Sequence, residues 1–331
     1  GKIPEESIPL YSIANYMQGS ITLPYYLGVP TAANPYAPVN DWWKGLCDSG
    51  AMLAGLAATN PEAIPAEPVD DIDAMCIGIS TAGGLPAPGL RNLGIDTERH
   101  LTKFNPVPAP RAGSDIPHIA HPEILTVQVT TPDPIAAALI GMNIEEPVDG
   151  WPVVILEHGI TSKKEDMLSI TGILSAYGFA TVAIDHPLHG SRGFDLDNDG
   201  TDDINASTVS ATHYMNLKSL LTARDNLRQS AADLLGLRAG LNFVSGDANL
   251  DSANVHFLGH SLGAMTGINF IALTNTPLND SIDPLFVVNT NSLAMPGVTI
   301  AHLLLESGRF SKVIESTLTY AQSPEFKAFV D

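Results

Sequence analysis

The hydrophobic positions of this chain change character near residue 124. Before that point apolar residues come in short pieces. Ile21-Thr22-Leu23 and Tyr25-Tyr26-Leu27 read as strand fragments, and residues 46–58 as one short helix, set among proline and loop formers. After it the pattern alternates between two kinds of segment. Residues 124–131 alternate towards a strand, and Pro152-Val153-Val154-Ile155-Leu156 is a continuous apolar run ending at Glu157-His158-Gly159, as suits a strand buried on both faces. A helix is predicted over 164–177, stopped by Gly178, and residues 179–184 form the next buried strand. A long helix is predicted over 212–237, with Leu217, Leu220, Leu221, Leu227, Leu234 and Leu235 near helical spacing. Residues 255–258 (strand), 264–273 (helix), 284–289 (strand) and 299–318 (mostly helix) complete the series. Strands alternating with helices predict an α/β fold with a mostly parallel sheet. The expected organisation is an irregular elaboration over 1–120 packed on a core over 121–331, with no internal repeat.

Gly259-His260-Ser261-Leu262-Gly263 fits the G-x-S-x-G pattern, and its setting matters more than the pattern. A strand enters at 255–258 and a helix leaves at 264, as a serine on a tight strained turn requires. This makes Ser261 the candidate nucleophile. A near match, Gly78-Ile79-Ser80-Thr81-Ala82, is followed by Gly83-Gly84-Leu85-Pro86, from which no helix can leave, so Ser80 is set aside. An oxyanion hole needs two amides aimed at one oxygen. The first is expected from Leu262, and the second from the loop after the 152–156 strand, at Ile160 with Gly159 as the alternate. His158, His260 and His186 are candidate pocket residues. Asp185-His186-Pro187-Leu188-His189-Gly190 reads either as a turn on the pocket rim or as metal ligands and a base.

Composition narrows the partners. The 331 residues are 44% hydrophobic, and 16 Lys and Arg face 36 Asp and Glu, a formal net charge of -20. Such acidity repels phosphate backbones, so nucleic acid is not expected as a partner. No apolar run of membrane-spanning length occurs in the sequence. No secretory leader is visible, and Gly1-Lys2 fits a processed or trimmed start. Asp195-Leu196-Asp197-Asn198-Asp199-Gly200 matches the start of a calcium loop, with Asp202 or Asp203 a further oxygen donor. Ala206 stands at the twelfth position, where an EF-hand needs a glutamate. Structural calcium at Asp195, Asp197, Asp199 and Asp203 and a merely solvated acidic loop both remain open; no cofactor is required for the chemistry. Cys47 and Cys76 are either one disulfide or two buried thiols.

The serine lacks evident helpers. His302 is the sole histidine downstream, inside an apolar stretch that reads as a helix, and Asp280 and Asp283 precede the 284–289 strand rather than follow it. The expectation is that the acid and the histidine follow two further strands beyond residue 331, in a remainder of the same protein.

Several runs resemble a family of Gram-negative extracellular lipases of the α/β-hydrolase superfamily that includes the VolA-type surface lysophospholipases. They are Glu157-His158-Gly159-Ile160-Thr161 with Lys164-Glu165-Asp166, Ala183-Ile184-Asp185-His186-Pro187-Leu188-His189-Gly190, Thr212-His213-Tyr214-Met215-Asn216-Leu217, the stretch 221–230, and 257–263. Asn105-Pro106-Val107-Pro108 and Leu293-Ala294-Met295-Pro296-Gly297 are also similar, so the likeness spans roughly residues 90–300. It implies an exported carboxylic ester hydrolase acting on lipid acyl chains, at the outer-membrane surface or outside the cell, and often held by a lipidated N-terminal cysteine that this chain does not carry. The alternatives are a short-chain or polyester esterase and a non-catalytic, calcium-stabilised surface binding module.

Overall fold

The computed structural model describes residues 8–109, 121–297, 300–308 and 311–331, in two compact units. The larger comprises residues up to Leu23, Val29–Asn40 and Glu123–Asp331. Its six-stranded sheet has the order β1-β2-β4-β3-β5-β6. The strands are β1 (Ala14–Tyr25), β2 (His121–Pro132), β3 (Trp151–Glu157), β4 (Ala180–Ala183), β5 (Leu250–His260) and β6 (Thr290–Ala294). β2 runs antiparallel to β4, whereas β3 pairs in parallel with β4 and β5, and β5 with β6. A mostly parallel sheet in this order, with a strand–serine–helix turn after β5, is the α/β-hydrolase fold.

Both faces of the central strands are covered, which is why β3 reads as an unbroken apolar run. Val153, Ile155, Val182, Val255 and Phe257 pack on one side with Leu234, Leu237 and Phe270. Val154, Leu156 and Ala183 pack on the other with Met167, Ile170 and Leu174.

Several elements depart from expectation. Ile21-Thr22-Leu23 and Tyr25 lie in one longer strand, β1, with Tyr26 and Leu27 following it, and most of β1 belongs to the sheet-bearing unit. The long helix spans Leu220–Gly240 rather than 212–237. Asn216 explains the late start, because its Oδ1 accepts from the Lys218 and Ser219 amides and holds a turn there. The buried face of that helix is largely polar, with Asp225, Asn226, Gln229, Ser230, Asp233 and Arg238, while Leu220 is exposed. Pro284 lies in a short 3₁₀ turn, Asp283–Leu285, and the strand follows at Thr290–Ala294. The helix expected over 299–318 is two, Ile300–Glu306 and Ser311–Gln322.

The smaller unit comprises Pro24–Gly28 and Asp41–Pro122. Its helices are Gly50–Thr59, which buries Leu53, and Asp71–Ala82, whose Cys76 joins Leu46, Cys47 and Leu90 in a core with Ile72 and Ile79 packed against it. The second helix has no clear apolar periodicity and was not anticipated. Cys47 and Cys76 form a disulfide. Ser80 lies buried within Asp71–Ala82, its hydroxyl donating to the Cys76 carbonyl. No described helix is long and apolar enough to cross a membrane.

Candidate active site

Ser261 stands between the last residue of β5 and the helix Leu262–Thr274, with φ 54° and ψ -111°. A non-glycine residue in this region costs about 1–3 kcal/mol, and such strain gathers at functional turns. The flanking glycines make the turn feasible. A Cβ on Gly259 would run into the Gly263 carbonyl, and one on Gly263 into the Glu157 and His158 carbonyls of β3. The Ser261 amide donates to the Ala294 carbonyl at the end of β6 (2.9 Å), pinning the bend to the sheet. Ser261 remains partly exposed, and among the described residues its hydroxyl has no hydrogen-bond partner.

The loop after β3 comes up against this bend. A Cβ on Gly159 would lie 3.3 Å from Ser261 Cβ and 3.2 Å from His260 Nδ1. Among the described residues, neither the Ile160 nor the Leu262 amide donates a hydrogen bond. The side chains of both belong to one apolar cluster with Ala206 and Tyr214. Ser261, Leu262, Ile160 and Gly159 are thus gathered at one place, and the helix N-terminus adds partial positive charge there. Thr161 at φ 64°, Leu188 at φ 60° and Met295 at φ 56° also have left-handed backbones, all in loops after parallel strands.

His158 and His186, expected at the pocket, are instead fully buried behind it. His158 Nδ1 donates to the Gly159 carbonyl (2.8 Å), and its Nε2 accepts from the His186 amide (3.1 Å). His186 Nε2 donates to the His158 carbonyl (3.0 Å), leaving its Nδ1 bare beside Ser230 Oγ and Glu157 Oε1 (2.8 Å). Glu157 Oε2 has no partner. A buried carboxylate with an unpaired oxygen is costly, so the arrangement favours a protonated Glu157 donating to neutral His186. Burial pushes the Glu157 carboxyl up to about 8, against the pull of His158, and pushes the His186 imidazole down to about 3. Burial and neighbouring His186 likewise hold His158 at about 4, and burial holds His189 at about 2. Polar atoms of Glu157, His158 and His186 lie within 4.8 Å of one another, with His158 Nε2 accepting from the His186 amide and His186 Nδ1 facing Glu157 Oε1. The histidines thus buttress the loop after β3, and burial keeps their rings neutral near pH 7. His260, by contrast, is exposed beside the serine.

Asp185 is likewise structural. Burial works against its charge, but the Lys164 ammonium (2.7 Å) and the Lys164 and Ser191 amides hold it below the usual carboxylate range. Arg192 joins the Asp185 carbonyl, Asp233 (2.8 Å) and Glu123 (2.5 Å). The charged end of β3 singles out Glu157 in the sequence; Tyr214 and Ser230 lie in runs that carry the family resemblance, but only the structure brings their oxygens to 2.7 Å.

His302 pairs with Glu306 (2.8 Å) on an exposed helix, and Asp283 caps a turn by accepting from the Leu278 and Asn279 amides. In the acidic loop, carboxylate oxygens of Asp195, Asp197 and Asp203 converge within 4.8 Å. Asp199 is not of this group, since its Oδ1 accepts from the Thr201 amide and hydroxyl. Asp195 and Asp203 themselves accept from the Asn198, Gly200 and Leu196 amides.

No family model matches the chain, and no curated protein matches it. Solved structures do. An acetyl xylan esterase from Paenibacillus is 16% identical over 62% of this chain and 56% of its own, with a TM-score of 0.36. Acetyl xylan esterase 1 from Thermoanaerobacterium is 16% identical over 62% and 56%, with a TM-score of 0.33. A dienelactone hydrolase-like promiscuous phosphotriesterase from metagenomic libraries is 17% identical over 46% and 50%, with a TM-score of 0.29. The chain spans about half the length of such structures.

Proposed function

We propose that this protein is a serine ester hydrolase acting on lipid acyl esters. One observation carries the reading. Ser261 sits unbonded at a strained bend with the unengaged amides of Leu262 and Ile160 beside it. In the proposed reaction Ser261 Oγ attacks the ester carbonyl carbon, and the two amides receive the charge that develops on oxygen. Collapse expels the alcohol and leaves an acyl-serine, which water then hydrolyses. No cofactor is needed. Among the described residues no imidazole bonds to the Ser261 hydroxyl, and the reaction needs a base that takes its proton and returns it to the leaving alcohol.

The lipid assignment rests on the resemblance of the 157–166, 183–190 and 257–263 runs to extracellular lipases. Export is supported by the Cys47–Cys76 bridge, since disulfides persist in oxidising compartments. The test is a fluorophosphonate probe on the full-length protein, followed by peptide mapping. Labelling at Ser261, together with a rate profile rising from four- to twelve-carbon acyl esters, is expected. No labelling where a known lipase reacts defeats the hydrolase reading, and a preference for two- to four-carbon esters defeats the lipid one.

A further inference from the structure

The second amide of the proposed oxyanion hole lies in a tight bend. The Ser162 amide donates to the Gly159 carbonyl (3.2 Å), which makes Ile160 and Thr161 the central residues of a four-residue turn. Thr161 has φ 64°. A positive φ is an outlier for a β-branched residue, and it persists only where the surroundings over-determine it. The Thr161 side chain is exposed, so its own packing does not hold the bend.

A restraint comes from a segment 45 residues further along the chain. Ser207 Oγ donates to the Ser162 carbonyl (2.6 Å) and accepts from the Gly190 amide (2.9 Å). A hydroxyl has one proton, and with Gly190 donating to the oxygen that proton is aimed at Ser162. Ser207 is itself fixed. Its amide donates to Asn205 Oδ1 (2.7 Å). Asn205 is fully buried, and its Nδ2 donates to the Gly190 carbonyl (2.9 Å) and to Asp202 (2.6 Å). The preceding residue, Ala206, is buried in the cluster that holds the Ile160 and Leu262 side chains. Ala206-Ser207 therefore grips the bend on both sides of Thr161, through the Ile160 side chain and through the Ser162 carbonyl.

We infer that Ser207 is a positioning residue for ester hydrolysis: its hydroxyl holds the Gly159–Ser162 bend in the form that aims the Ile160 amide at the developing oxyanion. This role rests on the Ser261 hydrolase reading and is exerted through Ile160. Without the bond, Thr161 is free to return to a negative φ, and the Ile160 amide turns with it. That amide matters most when charge gathers on the carbonyl oxygen, so its loss falls on kcat and not on KM.

The experiment is steady-state hydrolysis of para-nitrophenyl octanoate by the full-length protein. Reactive Ser261 is counted by fluorophosphonate titration, so unfolded protein does not enter the rate. Ser207→Ala should lower kcat by about ten- to a hundredfold, with KM changed by less than about twofold. Ser207→Thr, which keeps the hydroxyl, should restore most of the rate. Thr161→Gly supplies the second arm, because glycine adopts a positive φ without steric penalty. In that background Ser207→Ala should cost severalfold less than in the parent. A merely structural role would lower the melting temperature and leave kcat per titrated serine unchanged. That result overturns the inference, as does Ser207→Thr as slow as Ser207→Ala, or an equal cost in both Thr161 backgrounds. Should Ser207→Ala give no titratable serine, Ser207→Cys, similar in size and a weaker donor, is measured in the same way against the same expectation. Absence of titratable Ser261 in the parent protein defeats the hydrolase reading and this role with it. Titratable Ser261 with an unaltered kcat in Ser207→Ala defeats this role alone.

Discussion

Replacing Glu157 by glutamine makes permanent the neutral state that the folded protein imposes on this side chain. Glutamine has the same shape, and its Nε2 can donate to His186 Nδ1 as the protonated acid does. The ordinary carboxyl value is 4.5, and burial raises Glu157 to about 8 in the folded chain. A group whose folded value is raised binds its proton more tightly when folded. Its contribution is complete below the unfolded value and is lost as pH climbs from 4.5 towards 8. At 1.36 kcal/mol per unit, the wild type should lose roughly 3–4 kcal/mol between pH 5 and pH 8 that Glu157→Gln keeps. Every other titration is shared by the two proteins and cancels in their difference. Urea denaturation of both at pH 5, 6, 7 and 8 measures it. Near-equal stability at pH 5 is expected, with the variant progressively more stable towards pH 8. A difference that stays flat, or narrows as pH rises, would refute the neutral acid–imidazole pair.

Three further substitutions probe other parts of the molecule. Ser261→Gly should remove probe labelling and raise stability by about 1 kcal/mol in urea titrations, since glycine accepts the left-handed backbone without penalty. Lys164→Met leaves the buried Asp185 without its cation and should cost about 3–5 kcal/mol, read from the same titrations. Cys47→Ala with Cys76→Ala should lower stability by about 3.5 kcal/mol, as expected for opening a loop closed across 29 residues, without altering Ser261 labelling.

The chemistry-bearing turn was legible because three signals coincide at Ser261: apolar residues before it, glycines at fixed offsets, and a helical stretch after it. β3 was legible for a similar reason, being buried on both sides. The Leu220–Gly240 helix was harder, because periodicity counts leucines whereas its inward face carries Asp225, Asn226, Gln229 and Asp233. Asp233 is met by Arg192 from the loop after β4 and Asn226 donates to the Tyr214 carbonyl, partners that helical periodicity does not reveal, while Asp225 pairs with Arg224 and Arg228 of its own helix. The same limit hid the role of His186. Two histidines beside an aspartate near a strand end look like a site in sequence, but only their hydrogen bonds show each ring turned inward. Pro284 misled differently, since an apolar run around a proline reads as a strand while the missing N–H favours the turn actually formed.

Arg192 has a consequence for how the molecule assembles. Its guanidinium ties the β4 loop to Glu123 at the start of β2 and to Asp233 on the long helix. Until all three segments arrive, one cation and two anions would be desolvated without complete compensation. Partial docking is therefore penalised, and these pieces of chain are bound to associate together or not at all, welding hundred-residue separations into one cooperative event.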